Sequence, residues 1–193
     1  MKIGLYFGTF NPIHVGHLII ANHMVEFTGM DQVWMVVTPH NPFKKKDTLL
    51  ADNIRLELVF QATEDYPKIK PSDIEFRLPQ PNYTVHTLAH LQEKFPQHEF
   101  ALIMGEDNLK SLHKWKNYDI ILAQHDIFVY PRLSSDVVDV QFENHPKIHL
   151  IDAPVVEISS TFIRDCIKQN KNIRPLLSEK VWGYIDHNNL YKK

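Results

Sequence analysis

The sequence has 193 residues, which predicts a single domain, and 44% of them are hydrophobic, so the chain can bury a sizeable core. Its formal net charge is −2, so no global basic field points to DNA or RNA as a partner. The one cysteine, Cys166, excludes an internal disulfide and a cysteine-based metal cluster. No run of about 18 apolar residues is present, and Met1 and Lys2 lead straight into an apolar stretch. We therefore expect a cytoplasmic protein with no signal peptide and no membrane partner.

Short apolar runs alternate with helical patterns along the chain. Runs rich in Val, Ile and Phe predict strands at 3–7, 32–38, 100–104, 126–130 and 148–151, with a further edge strand at 74–78. Helical patterns predict helices at 17–27, 53–65, 84–95, 118–124, 159–168 and 179–188. This alternation predicts an α/β fold, namely a Rossmann-like, doubly wound parallel sheet with helices on both faces. We expect residues 1–193 to form one domain, with a C-terminal helical portion at about 159–193.

Residues 8–17 join the first predicted strand to the first predicted helix and read Gly-Thr-Phe-Asn-Pro-Ile-His-Val-Gly-His. The first turn of a helix has free backbone N–H groups and a partial positive charge, so it attracts anions. Gly8 and Gly16 let the backbone approach a ligand closely. His14 and His17 lie near one helix face and can donate hydrogen bonds to phosphoryl oxygens. The segment predicts a phosphate site in a nucleotide-handling enzyme; the alternative is a solvated helix start with two incidental histidines.

Residues 38–46 follow the second predicted strand and read Thr-Pro-His-Asn-Pro-Phe-Lys-Lys-Lys. The prolines exclude regular structure there, and ligands of parallel sheets bind at the carboxyl ends of strands. The three lysines, with Arg55 on the next predicted helix, favour an anion site for a phosphorylated substrate. The alternative is a solvated surface loop, as most lysine runs are.

Three segments in the middle of the chain lie near the start of a predicted helix or the end of a predicted strand. They are 81–88 (Pro-Asn-Tyr-Thr-Val-His-Thr-Leu), 104–109 (Met-Gly-Glu-Asp-Asn-Leu) and 112–116 (Leu-His-Lys-Trp-Lys). From the residues alone, Asp107 is a candidate helix N-cap and Trp115 a candidate core aromatic. Residues 104–107 also lie at the carboxyl end of a predicted strand, where a ligand of such a sheet would bind.

Residues 158–164 read Ile-Ser-Ser-Thr-Phe-Ile-Arg at the start of a predicted helix. Ser159 or Ser160 is a good N-cap. Arg164 comes about one helical turn after Ser160, so a hydroxyl, backbone amides and a guanidinium can converge on one anion. Neither serine has Glu or Gln three residues later, so the segment is not a capping box.

The sequence resembles a known family along its whole length. Residues 8–17 resemble the His-x-Gly-His signature of the nucleotidyltransferase superfamily, and 158–164 resemble its second signature. With the three middle segments and the closing residues 185–191, the chain is similar to the nicotinate-mononucleotide adenylyltransferases of bacterial NAD biosynthesis. It departs from their pattern at Asn11, where many members have Asp, and at Lys116, where Tyr often follows the tryptophan.

The resemblance implies a role for each segment. The implied catalytic residues are His14, His17 and Arg164. The implied ATP site consists of Gly8, Thr9, Phe10, Gly16, Gly105, Asp107, Ile158, Ser159, Ser160 and Thr161. The implied residues for the second substrate are Asn41, Lys44, Lys45, Thr84 and Trp115. In that family Asp107 would accept hydrogen bonds from the ATP ribose, and the Trp115 indole would stack on the positively charged pyridine ring.

The implied reaction is direct transfer of the adenylyl group of ATP to nicotinate mononucleotide, which gives deamido-NAD and pyrophosphate. Mg²⁺ would bridge the ATP phosphates largely through water and phosphate oxygens, so we expect no dedicated protein metal site. Three alternatives stay open. They are a related adenylyltransferase acting on nicotinamide mononucleotide or phosphopantetheine, a cytidylyltransferase that consumes CTP, and a non-catalytic nucleotide-binding regulator.

Overall fold

The computed structural model describes residues 1–39, 49–133, 142 and 144–192. Within this part of the chain, one six-stranded sheet is formed by β1 (Lys2–Gly8), β2 (Gln32–Val37), β3 (Ile69–Ser72), β4 (Glu99–Gly105), β5 (Ile127–Tyr130) and β6 (Ile148–Leu150). The strand order is β3-β2-β1-β4-β5-β6, and every pairing is parallel. The order reverses between β1 and β4, which is the place where ligands bind in doubly wound sheets.

The helices described connect these strands or follow the last one. They are α1 (Val15–Phe27), α2 (Asp52–Thr63), α3 (Thr84–Lys94), α4 (Glu106–Lys110), α5 (Tyr118–Gln124), α6 (Ser160–Lys168) and α7 (Glu179–His187). Ser159 is the N-cap of α6 because its side chain accepts a hydrogen bond from the amide of Phe162 at 3.1 Å. Among the described residues, no helix is both long enough and apolar enough to cross a bilayer.

Two hydrophobic cores lie on opposite faces of the sheet. Alternate residues of β1 point to different cores, since Leu5 belongs to one and Tyr6 to the other. The core with Tyr6 includes residues of α1, α2, α6 and α7, and the core with Leu5 includes residues of α3 and α5. The predicted Rossmann-like, doubly wound sheet with helices on both faces is therefore confirmed.

The predicted edge strand at 74–78 is wrong. Ile74–Arg77 is a short 3-10 helix, and the edge strand is Ile69–Ser72, which pairs with β2. This strand contains Lys70 and Pro71, which conceal a strand pattern but are tolerated at a sheet edge. Glu75 on the 3-10 helix is buried, and its carboxylate accepts a hydrogen bond from the Thr87 hydroxyl of α3 at 2.7 Å. The chain therefore turns inward after β3 and supports the start of α3.

Candidate active site

A pocket lies at the carboxyl end of β1, beside the point where strand order reverses. Its lining residues come from β1, α1, β5 and the segments that follow β5 and β6, and it holds about 260 Å³ of empty space, part of it open to solvent. The lining residues are Tyr6, His14, Gly16, His17, Ile20, Tyr130, Pro131, Arg132, Val156 and Ile158. Four residues predicted to be functional, His14, Gly16, His17 and Ile158, thus share one pocket.

The two predicted catalytic histidines are stacked at the start of α1. The ring centroids of His14 and His17 are 3.7 Å apart with an interplanar angle of 27°. The backbone amide of His14, the N-cap residue, donates to His17 Nδ1 at 3.3 Å. A neutral His17 with Nδ1 as acceptor carries its proton on Nε2. His17 can therefore present Nε2 as a hydrogen-bond donor to a phosphoryl oxygen.

His14 is neutral at physiological pH in this structure. Its side chain is buried, and burial together with the nearby positive charge of Arg132 lowers its pKa to about 4. A bound polyphosphate would raise the pKa of His14, because negative charge favours the protonated imidazole. The pair therefore has one ring, His17, poised as a donor and another, His14, whose charge state depends on what binds beside it.

The β1–α1 loop, residues 9–14, packs closely around the buried side chain of Phe10. Phe10 has a left-handed backbone with φ of 44° and is only 2% exposed, and its ring contacts that of His17 edge-on at 5.1 Å. A Cβ on Gly8 would come within 2.8 Å of the Phe10 ring, and one on Gly16 within 3.0 Å of His14. The Phe10 side chain thus supports the loop from inside, so a direct role for Phe10 toward ATP would use its backbone.

The C-terminal signature, residues 158–164, is joined to the β1–α1 loop. Ser160 Oγ donates to the Pro12 carbonyl at 2.8 Å, and Arg164 Nη1 donates to the Asn11 carbonyl at 2.7 Å. Arg164 Nη2 also donates to Thr161 Oγ1 at 3.2 Å. The resemblance implies that both signatures contribute to one ATP site, and these hydrogen bonds join residues about 150 positions apart. The N-termini of α1 and α6 therefore flank one loop.

Asp107 is not a helix N-cap, because the N-cap of α4 is Gly105 and Asp107 lies within the first turn. Its carboxylate is partly exposed and lies 3.8 Å from Arg132 Nε. An exposed carboxylate at the end of β4 remains available for a ribose. The Gly105 backbone lies directly against the Asp107 side chain, so a larger residue at position 105 would displace this carboxylate.

Arg132 is a pocket residue that sequence reasoning missed. Its backbone amide donates to Glu106 Oε2 at 3.0 Å, and its Nη2 donates to the Tyr130 hydroxyl at 3.1 Å. The Tyr130 hydroxyl lies 3.1 Å from that of Tyr6 on β1. Arg132 comes two residues after β5, at the carboxyl end of a predicted strand, so the same positional rule that selected the other segments would have found it.

Arg55 does not extend an anion site, because its buried guanidinium is already bound by backbone carbonyls and by Asp52. It donates to the carbonyls of Leu50, Thr9 and Thr38 at 3.0, 2.6 and 3.0 Å. It also forms an ion pair of 2.6 Å with Asp52. Arg55 thus ties the β1–α1 loop to the end of β2, and we assign it a structural role.

The residues predicted for the second substrate are only partly placed. Thr84 is the first residue of α3, and Trp115 is half-buried and packs against the core with Leu5. Lys116 Nζ lies 4.6 Å from the centroid of the Tyr83 ring, so the segment with Trp115 meets the start of α3. Asn41, Lys44 and Lys45 lie outside the described residues.

No group of three or more His, Cys, Asp or Glu side chains placed to hold a metal ion occurs within the described parts of the chain. The polar groups that line the pocket are two imidazoles, the Arg132 guanidinium, two tyrosine hydroxyls and the N-terminus of α1. The positive charge of Arg132 and of the helix N-terminus favours an anionic ligand over a bare cation.

The comparisons with known proteins agree with this geometry. Residues 5–166 match the family model described as cytidylyltransferase-like. The chain is 73% identical over 193 residues to a probable nicotinate-nucleotide adenylyltransferase of Flavobacterium johnsoniae, with 100% of both chains covered. It is 76% identical over 193 residues to a protein of the same name from Flavobacterium psychrophilum, again with 100% of both covered.

A solved structure shows the same fold in a distant protein. It is a Plasmodium falciparum nicotinic acid mononucleotide adenylyltransferase complexed with NaAD, and it superposes with a TM-score of 0.82 at 19% identity. The superposition covers 98% of this chain and 97% of that one. From the sequence matches, the chain belongs to the cytidylyltransferase-like family and, within it, to the nicotinate-nucleotide adenylyltransferases.

Proposed function

We propose that this chain transfers the adenylyl group of ATP to nicotinate mononucleotide, forming deamido-NAD and releasing pyrophosphate. The observation that carries the proposal is the meeting of two helix N-termini on the β1–α1 loop. There the His14–His17 pair lies beside the carbonyls bound by Ser160 and Arg164. Family membership supports the same reaction, because the relatives that cover the whole chain carry the name of this activity.

The arrangement suits a polyphosphate. The N-terminus of a helix carries partial positive charge and free N–H groups; α1 begins at the end of this loop, and α6 begins beside it. Arg132 adds a cation to the lining of the pocket. These charges spread the negative charge that accumulates at the α-phosphoryl group in the transition state.

The reaction needs no general base from the protein. The 5′-phosphate oxygen of the mononucleotide is already an anion near neutral pH, and it forms a bond to the α-phosphorus of ATP. The bond from that phosphorus to the bridging oxygen breaks, and the electron pair leaves with pyrophosphate. The protein aligns the two polyanions, and His17 Nε2 donates to a phosphoryl oxygen.

The second substrate is assigned to the side of the site near α3. We propose that backbone groups at Thr84 and the Asn41 loop hold the nicotinate carboxylate and that Trp115 stacks on the ring. The phosphate of this substrate would be held by Lys44 and Lys45. The contact between Lys116 and Tyr83 supports the assignment, because it joins the segments that contain Trp115 and Thr84.

We propose that Mg²⁺ enters with ATP, bound by its phosphate oxygens and water. The metal would supply charge neutralisation and orientation of the phosphates. Since ATP is an intracellular substrate, we also propose that the enzyme works in the cytoplasm.

A coupled pyrophosphate assay with purified protein tests the proposal. ATP and CTP would each be combined with nicotinate mononucleotide, nicotinamide mononucleotide and phosphopantetheine. We expect release with ATP and a preference for the nicotinate over the nicotinamide nucleotide of about 10- to 150-fold, since hydrogen bonds to a charged group are worth about 1.5–3 kcal/mol. Equal use of both mononucleotides would refute the acid-specific assignment. Consumption of CTP would point to a cytidylyltransferase, and no release with any acceptor to a non-catalytic binder.

A further inference from the structure

Asn11 is the residue of the β1–α1 loop to which several distant segments of the chain donate hydrogen bonds. It is 3% exposed, and its Oδ1 accepts hydrogen bonds from the Tyr191 hydroxyl at 2.9 Å and from the Leu50 amide at 3.3 Å. Its backbone carbonyl accepts the 2.7 Å hydrogen bond from Arg164. One residue of the loop thus connects the C-terminal segment, the start of α2 and a predicted catalytic arginine.

Tyr191 follows α7 and reaches back to the site from 180 residues away. Its ring is buried in the core that contains Tyr6, and burial raises the pKa of the phenol, so the hydroxyl keeps its proton and acts as the donor. Its backbone is left-handed with φ of 62°, which is costly for a bulky residue and persists only where the surroundings enforce it. The buried ring and the hydroxyl contact with Asn11 are among the surroundings that hold this backbone.

We propose that Tyr191 is a positioning residue for adenylyl transfer and acts through Asn11. Its hydroxyl holds Asn11 Oδ1, which fixes the peptide that carries the Asn11 carbonyl and thereby the place of the Arg164 guanidinium. The same loop leads in three residues to His14, the N-cap of α1, so one buried hydroxyl sets the spacing between the two helix starts. This inference rests on the proposed function.

The central test is Tyr191→Phe, which removes the hydroxyl and leaves the ring in the core. We expect kcat to fall about 3- to 10-fold, because one buried hydrogen bond is lost. The factor should be the same with nicotinate mononucleotide and with nicotinamide mononucleotide. The acceptor KM should stay within about twofold of the wild type, because Tyr191 acts on the phosphate side. Tyr184→Phe is the matched control, since Tyr184 packs on the same core from α7. A Tyr191→Phe enzyme with wild-type kcat would overturn the inference, even if its thermal midpoint were lower.

Variants of Asn11 separate positioning from simple loss of stability. Asn11→Asp keeps an acceptor for both donors, and the charges of Arg55 and Arg164 near Tyr191 favour a carboxylate there. We expect this variant to keep most of its activity. Asn11→Leu removes the acceptor, so adding Tyr191→Phe to it should lower kcat no further. Independent, multiplicative losses in the double variant would contradict the linkage.

Hydrogen exchange of the substrate-free protein tests the linkage without relying on the reaction. Amides of residues 8–17 should exchange about 3- to 10-fold faster in Tyr191→Phe than in Tyr184→Phe. If the wild type releases no pyrophosphate but this difference is present, the proposed function fails and the structural link stands. Unchanged exchange in an active enzyme would overturn the positioning role alone.

Discussion

The two halves of the site are built in different ways. On the phosphate side, two helix starts flank one loop and are bonded to it, with Ser160 and Arg164 on Pro12 and Asn11. On the proposed acceptor side, Thr84 and Trp115 come from separate segments that touch through a contact between Lys116 and Tyr83. Helix ends can bind phosphates, and a short contiguous motif can specify them, whereas the proposed acceptor contacts need side chains brought together from several segments.

The largest expected effect comes from the phosphate side. His17→Ala removes a preorganised donor, so kcat should fall on the order of 10²–10³ while the thermal midpoint stays close to that of the wild type. His23→Ala is the matched control, because His23 lies on the same helix and stacks on Phe27 instead. Near-normal turnover in a folded His17→Ala protein would remove His17 from the mechanism.

The neutral state of His14 makes a prediction about stability and pH. Its pKa is about 4 in the folded protein against an ordinary value of 6.5, so the unfolded chain binds the proton more tightly. The contribution of His14 to the free energy of unfolding is fully present above about pH 6.5. It is lost as the pH falls toward 4, and the loss over this interval is about 3 kcal/mol. Urea unfolding at pH 7.5 and 4.5 should show a smaller acid loss for His14→Asn than for the wild type. Equal losses would mean that His14 is solvated.

Arg164→Lys tests the geometry of the phosphate side. Lysine keeps the charge but lacks the planar fork whose two nitrogens donate separately to Asn11 and Thr161. We expect kcat/KM for ATP to fall about 10-fold or more, the range of a hydrogen bond to a charged group. Arg174→Lys, at an exposed arginine paired with Glu179, should behave like the wild type. Indistinguishable kinetics for the two variants would show that Arg164 has no role toward ATP.

The smallest effect is expected on the acceptor side. Trp115→Ala removes a proposed stacking platform, so the KM for nicotinate mononucleotide should rise about 2- to 30-fold, in line with a cation–π contact of about 0.5–2 kcal/mol. The KM for ATP should change little, and the two constants measured in one preparation serve as each other's control. A rise confined to the KM for ATP would place Trp115 on the ATP side of the site and contradict the proposed stacking.

The sequence predicted what contiguous patterns encode. Five of the strands and the main helices follow continuous apolar or helical runs, and the meeting of residues 8–17 with 158–164 follows from their signatures. The edge strand at Ile69–Ser72 was missed because lysine and proline interrupt its apolar pattern. The prediction of a strand at 74–78 was wrong because the alternating apolar and polar residues there form a 3-10 helix in which Glu75 is buried.

Contacts between distant segments could not be predicted in the same way. Arg55 reads as a cation near a lysine run, yet it is fully buried on backbone carbonyls, which only tertiary packing reveals. Tyr191 reads as one more aromatic near the chain end, and nothing local shows that its hydroxyl meets Asn11. Arg132 could have been selected from its place after a strand, although its partners could not.

Isotope transfer tests the central claim most directly. ATP labelled at the α-phosphate would be incubated with nicotinate mononucleotide, Mg²⁺ and the wild-type protein, and the products would be separated and counted. Direct adenylyl transfer predicts one labelled deamido-NAD for each pyrophosphate released, with no label in the pyrophosphate and none left on the protein. Label retained on the protein, or pyrophosphate released without labelled dinucleotide, would contradict the account.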